Sequence, residues 1–179
     1  MENHNEILIL DSSERIKQYK KGEILQREGK LNSSAFYVKK GLLRSYTIDD
    51  KGKTHIFMFA PEGWVIGDIE SQVSDQPSKL FIDCIEDSVI IVNDRSSFIK
   101  SELTKEQLQN NITLLSRRVA VLQKRVLMLM SATAKARYES FLETYPELPQ
   151  RVTQKMIASY LGITPQALST IRGEIARKA

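Results

Sequence analysis

The chain has 179 residues, with 26 Lys+Arg, 22 Asp+Glu, one cysteine and a formal net charge of +4. A single cysteine, Cys84, excludes an intrachain disulfide and any all-cysteine metal or cluster site. No apolar run approaches membrane-spanning length and no basic region with an apolar run and cleavage signal opens the sequence, so a cytoplasmic protein without membrane contact is expected.

Residues 1 to 19 read as an amphipathic lead-in, with Ile7, Leu8, Leu10, Ile16 and Tyr19 as packing candidates. From Lys20 the pattern changes to short strands: Lys21 to Leu25, Ala35 to Val38, Leu42 to Thr47 and Thr54 to Phe59, with Asp49-Asp50-Lys51-Gly52 as a turn. Further strands are expected at Trp64 to Ile66, Leu80 to Ile85 (with Cys84 buried) and Ser88 to Val92. Six of the eight glycines lie at or before Gly67 and the next is Gly162, which separates a turn-rich first half from a helical second half. Several short strands punctuated by turn signals imply a β-sandwich or roll, and rolls of this kind can be enzymes when histidines and carboxylates converge on a metal, but His4 and His55 are the only histidines. No paired carboxylate, nucleophile elbow or phosphate loop is present either, so neither an enzyme nor a bound metal is expected.

A helix begins near Thr104, where Thr104-Lys105-Glu106-Gln107 resembles a capping box. Leu108, Ile112, Leu115, Val119, Leu122, Val126 and Leu129 then recur at alternating spacings of four and three, a heptad seam. A second stripe, Leu114, Val121 and Met128, runs beside it. One stripe can pack within the chain and the other on a partner, and Arg117, Arg118, Lys124 and Arg125 flank the seam. A parallel homodimer is therefore expected, with those seven residues as its interface.

Met130 to Thr133 forms a joint, with Thr133 capping a helix from Ala134 to Tyr145. Tyr138, Phe141 and Leu142 supply its apolar face. Tyr145-Pro146-Glu147-Leu148-Pro149 ends it, and Arg151-Val152 is extended. Thr153 then caps a short helix, Gly162 breaks it, and Thr164-Pro165 starts another that runs to about Arg177. Ile157, Leu161, Ile163, Leu168 and Ile171 close a miniature core, with Ala158 as the small contact residue. The outward positions of the last helix are Gln166, Ala167, Ser169, Thr170 and Arg172. This is a helix-turn-helix signature whose outward face is polar and small, suited to a major groove. Charge agrees: residues 1 to 105 hold 15 Lys+Arg against 17 Asp+Glu, and residues 106 to 179 hold 11 against 5.

With these pieces assembled, the chain resembles the Crp/Fnr family of bacterial transcription regulators. The resemblance rests on Gly63-Trp64-Val65-Ile66-Gly67-Asp68, on Ile157 to Pro165, and on Tyr138 to Pro146 (YESFLETYP), similar to a Bacteroidetes-type branch. It implies an α+β chain with an N-terminal antiparallel, jelly-roll-like β-roll (1–103), a dimerisation helix (104–130) and a helix-turn-helix domain (131–179). It also implies an effector pocket around Gly67, Asp68, Ser78 and Lys79. Members that bind cyclic AMP carry an Arg-Ser or Arg-Thr pair where this chain has Pro77-Ser78-Lys79, and lysine lacks the planar fork of arginine. Cyclic AMP is not expected, nor is an iron–sulfur cluster with one cysteine or a haem with His55 as the candidate ligand. A wing after the recognition helix is not expected within these residues.

The family often places Glu and Arg where Gln166 and Thr170 stand, so a palindromic operator with a different half-site is expected. Gln166, Ala167, Ser169 and Thr170 are base-edge candidates on double-stranded DNA. Thr153, Gln154, Lys155, Thr164 and Arg172 are phosphate candidates. The expected function is a dimeric, sequence-specific DNA-binding regulator whose roll senses an effector of unknown identity. The alternative is a small-molecule sensor whose reader is degenerate.

Overall fold

A computed structural model of the chain describes residues 15–31, 33–74, 76–93 and 104–177. The lead-in residues Ile7, Leu8 and Leu10, and His4, lie outside the described residues, as do the side chains of Leu114, Arg117 and Arg118. The chain divides into two compact units, Met1–Ser116 and Arg117–Ala179.

The first unit is the expected antiparallel roll of two four-stranded sheets. One has the order β1 (Arg15–Tyr19), β8 (Ser88–Asn93), β3 (Ala35–Lys40) and β6 (Val65–Ile66). The other has β2 (Ile24–Gln26), β7 (Phe81–Cys84), β4 (Leu43–Ile48) and β5 (Thr54–Ala60). Side chains of both sheets meet in one core, formed by Phe36, Val38, Leu43, Ala60, Ile66, Ile82, Cys84 and Ile90. Cys84 is buried there, as its strand pattern predicts, and burial pushes its thiol up to about 11. The β4–β5 turn is built by Asp49, whose carboxylate accepts the amides of Lys51 (3.0 Å) and Lys53 (2.9 Å). His55 is engaged at the same turn, 2.8 Å from Asp49 Oδ2.

Two elements of the roll differ from the sequence expectation. Arg15–Tyr19 is an edge strand rather than a lead-in, paired antiparallel to β8 from Arg15 opposite Val92 to Tyr19 opposite Ser88. Tyr19 packs against the core, but Ile16, expected to pack, is exposed. The second is helix α1 (Ile69–Ser74), which follows directly on Asp68. Asp68 Oδ1 accepts the Ser71 amide at 3.2 Å, the bond of an N-cap to the third helical residue.

Helix α2 (Lys105–Ser131) opens on a reciprocal capping box. The Thr104 amide donates to Gln107 Oε1 (2.8 Å) and the Gln107 amide to Thr104 Oγ1 (3.2 Å). Then come α3 (Ala134–Thr144), α4 (Leu148–Arg151), α5 (Gln154–Leu161) and α6 (Pro165–Ala176). Helix α4 corrects the reading of 145–149 as a plain break and of Arg151 as extended. Pro149 sits in the first turn of α4, where its missing N–H has no intrahelical partner to lose, and Arg151 is helical. Val152 is extended, as expected.

Candidate nucleic-acid interface and effector region

Unit two contains the paired helices that the spacing predicts. Thr153 caps α5 through its hydroxyl, which accepts the Met156 amide at 3.3 Å. Gly162 ends the helix in the left-handed conformation, φ 67°, that a side chain would disfavour. Thr164 then caps α6, accepting the Ala167 amide at 3.1 Å, with Pro165 in the first turn. Ile157, Ala158, Leu161, Leu168 and Ile171 are buried, and Ile163 is half-buried. The tight core fixes which side of α6 remains outward.

That side carries Gln166, Ser169 and Thr170, all exposed, with Ala167 and Arg172 half-buried beside them. Thr153, Gln154, Lys155 and Thr164 are exposed at the N-terminal ends of α5 and α6. Both helix starts present backbone amides and a positive dipole end, which favour anions. No acidic side chain occurs from Arg151 to Gly173. Across unit two, 11 Lys+Arg stand against 4 Asp+Glu, a net +7.

The paired helices are held by residues that the sequence reading did not single out for this role. Arg125 of α2 lays its guanidinium over the Tyr160 ring, 3.6 Å from the centroid, and donates to Tyr160 O at 2.9 Å. Arg137 of α3 donates to Leu161 O at 2.8 Å. The two arginines thus satisfy carbonyls at the C-terminal end of α5, where a helix leaves acceptors unpaired and favours positive charge. Beneath them Phe141 is buried among Tyr138, Tyr145 and Tyr160, with ring centroids 6.3, 5.6 and 5.5 Å away. Burial raises the Tyr145 phenol far above its ordinary value. Arg125, expected to flank the seam, faces α5 instead, and Val121 and Met128 of the second stripe line the same crevice.

On α2 the seam residues Leu108, Ile112, Leu115, Val119, Val126 and Leu129 are exposed in the single chain, Val119 at 63%, and Leu122 is half-buried. Leu129 also borders the crevice beside Phe141.

In the roll, Asp68 and Ser78 are brought together in a buried network. Asp68 Oδ2 accepts the Ser78 hydroxyl at 3.0 Å and the Lys79 amide at 2.9 Å, and Gln26 Nε2 donates to Ser78 Oγ at 2.7 Å. The Lys79 ammonium is not part of it. It pairs with Glu70 Oε2 at 2.8 Å on the surface, which holds the lysine above its ordinary range. Gly67 is the close-approach point of this region, since a Cβ there would lie 3.1 Å from Ser34 O and 3.3 Å from Ala35 Cα. Among the described residues no three His, Cys, Asp or Glu side chains group as metal ligands, and no helix is long and apolar enough to cross a membrane.

Residues 16–101 match the model of the cyclic nucleotide-binding domain family. Among curated proteins the chain is 27% identical over 188 residues to Electron transport regulator A of Shewanella oneidensis, covering 98% of this chain and 74% of that protein. It is also 27% identical over 194 residues to the Fumarate and nitrate reduction regulatory protein of Vibrio cholerae, again 98% and 74%. Among solved structures, FixK2 from Bradyrhizobium japonicum superposes with a TM-score of 0.78 at 20% identity, covering 92% of this chain and 85% of that one. A CRP/FNR-family transcriptional regulator from Thermus thermophilus superposes with a TM-score of 0.73 at 20% identity, covering 92% and 87%. The class so defined is a cyclic nucleotide-binding-type β-roll followed by helices, the architecture of Crp/Fnr regulators. Over nearly its whole length the chain is thus similar in sequence to curated regulatory proteins and in fold to Crp/Fnr-type regulators.

Proposed function

We propose that the protein is a homodimeric, sequence-specific DNA-binding regulator, with α6 as the recognition helix and the roll as an effector-responsive domain. The observation that carries this reading is the outward face of α6. Gln166, Ser169 and Thr170 stand exposed on a capped, tightly cored helix in a unit of net charge +7. Gln166, Ala167, Ser169 and Thr170 face base edges, while Thr153, Gln154, Lys155, Thr164 and Arg172 position the reader on phosphates.

The dimer is supported by the chemistry of the seam as well as its exposure. With Leu108, Leu115, Leu122 and Leu129 as the d positions, the a positions are Ile112, Val119 and Val126. β-Branched residues at a with leucine at d favour two parallel strands. Two readers joined in this way meet successive major grooves about 34 Å apart, on a two-fold operator.

The effector region is proposed to lie around Gly67, Asp68, Ser78 and Lys79. Its chemistry does not favour cyclic AMP. The Asp68 carboxylate already occupies the Ser78 hydroxyl and the Lys79 amide, and the Lys79 ammonium is paired with Glu70. A cyclic phosphate would therefore meet a negative charge, with no guanidinium fork to receive it.

The test of DNA reading is Gln166→Ala in a gel-shift series on a selected operator and on random duplex. Losing one bidentate base contact in each half-site should cost about 1–3 kcal/mol per half-site, roughly 5- to 150-fold each and the product of the two on the whole operator, and leave random-duplex binding nearly unchanged. Equal losses on both would remove Gln166 from the base readers.

A further inference from the structure

The recognition helix carries a finer piece of information than its outward position. The Thr170 hydroxyl donates to Gln166 O at 3.2 Å, the backbone carbonyl one turn earlier. Its hydrogen is therefore committed to the helix itself, which leaves this exposed side chain no free donor, only an acceptor oxygen and its γ-methyl. Thr170 thus presents an apolar group to whatever lies in front of α6. Gln166 differs: no side-chain hydrogen bond of its amide is found among the described residues, and the side chain is exposed. Its carbonyl and NH2 together match the N6 and N7 edge of adenine.

The charged chemistry that reads G·C pairs is missing from the same face. Arginine or lysine reads guanine, and aspartate or glutamate accepts from cytosine. Between Pro165 and Ile171 the helix has none of these residues. Arg172, the first cation, is half-buried at the flank. Gln166 and Thr170 are four residues apart on one stripe, about 6 Å along the helix, enough to address neighbouring base pairs stacked at about 3.4 Å.

We propose that α6 selects an A·T-centred half-site, with Gln166 bonded to an adenine and the Thr170 methyl packed on the C5-methyl of a thymine. This rests on the DNA-binding function proposed above and deepens it to the base pairs read.

The test uses the full chain and the duplex it enriches from a random pool, with uracil then placed at each half-site thymine in turn. Uracil keeps the pairing edge and removes only the methyl group. At one thymine per half-site the native chain should lose about fourfold in affinity, the worth of one buried methyl group. Thr170→Ser, which removes the methyl from both readers of the dimer, should lose about sixteenfold, one such factor per half-site, on the unmodified duplex and be indifferent to uracil there. Thr170→Val, which keeps the methyl and removes the hydroxyl, should bind as the native chain does; a severe loss in this variant would show that the hydroxyl is the reader and overturn the proposal. Helix content by circular dichroism separates misfolding from lost contacts in both variants. An enriched palindrome with G·C pairs at the contacted positions, or uracil without effect at every thymine, would overturn this inference while leaving DNA reading intact. Enrichment of no sequence would overturn both.

Discussion

A chain carrying Val119→Glu together with Val126→Glu is expected to sediment as a monomer at concentrations where the native chain is a dimer, and to lose at least about 100-fold in operator affinity. Both valines are exposed in the single chain, at 63% and 54%, so a carboxylate at either position costs the isolated fold little. In the proposed dimer both would occupy a positions, and four carboxylates would be brought together in an apolar seam, which opposes pairing. The affinity loss follows from separating the readers. Once one recognition helix is seated, the other binds at a high effective concentration, and that linkage is worth about 10²–10⁴ in affinity. A monomeric reader keeps its local contacts and loses this factor. Binding to a single isolated half-site should accordingly change little. If the double variant remained dimeric, the seam would lie elsewhere on α2.

Phe141→Ala is expected to produce the largest stability loss in the second unit, about 3–5 kcal/mol. The ring is 2% exposed and packs on Tyr138, Tyr145 and Tyr160, so its removal opens a cavity among three large, rigid neighbours. Against a typical total of about 5–15 kcal/mol for a domain, this threatens the fold of the reader. Two spectroscopic signals separate the units. Trp64 is the sole tryptophan and lies against the roll core, so its fluorescence reports the roll, whereas circular dichroism at helical wavelengths is dominated by α2 to α6. In a denaturant titration the helical transition should shift to lower concentration in Phe141→Ala while the Trp64 transition stays in place. A shift of both together would mean that the units unfold as one.

The features most legible in the sequence are those whose chemistry closes within a few residues. Thr104 with Gln107, Thr133, Thr153 and Thr164 each cap a helix through a bond to a residue three positions on, so the local pattern specifies the geometry. The turn at Gly162 is equally local, because its left-handed backbone asks for glycine. The buried set Ile157, Leu161 and Leu168 followed from helical spacing for the same reason.

What escaped depends on distant partners. Strand β1 has the short pattern Arg15 to Tyr19, and its pairing partners on β8 lie 69 (Tyr19 to Ser88) to 77 (Arg15 to Val92) residues on. Helix α1 is six residues long, too short for periodicity, although Asp68 ahead of Ile69-Glu70-Ser71 is a cap signal that could have located it. The roles of Arg125 and Arg137 are set by carbonyls 35 and 24 residues away, and no local pattern distinguishes such arginines from solvated ones. For the candidate effector region the family resemblance pointed to Gly67, Asp68, Ser78 and Lys79, but only the fold reveals that Lys79 turns out to Glu70 while Asp68 turns in to Ser78.

The central claim is that two identical readers, joined along α2, recognise a two-fold DNA sequence. Hydroxyl-radical footprinting of the full chain on a duplex recovered from a random pool tests it most directly. The account predicts two equally protected windows on one face of the duplex, centred about 10–10.5 base pairs apart and related by two-fold symmetry. A single unsymmetrical window, or protection spread evenly along the duplex, would contradict it.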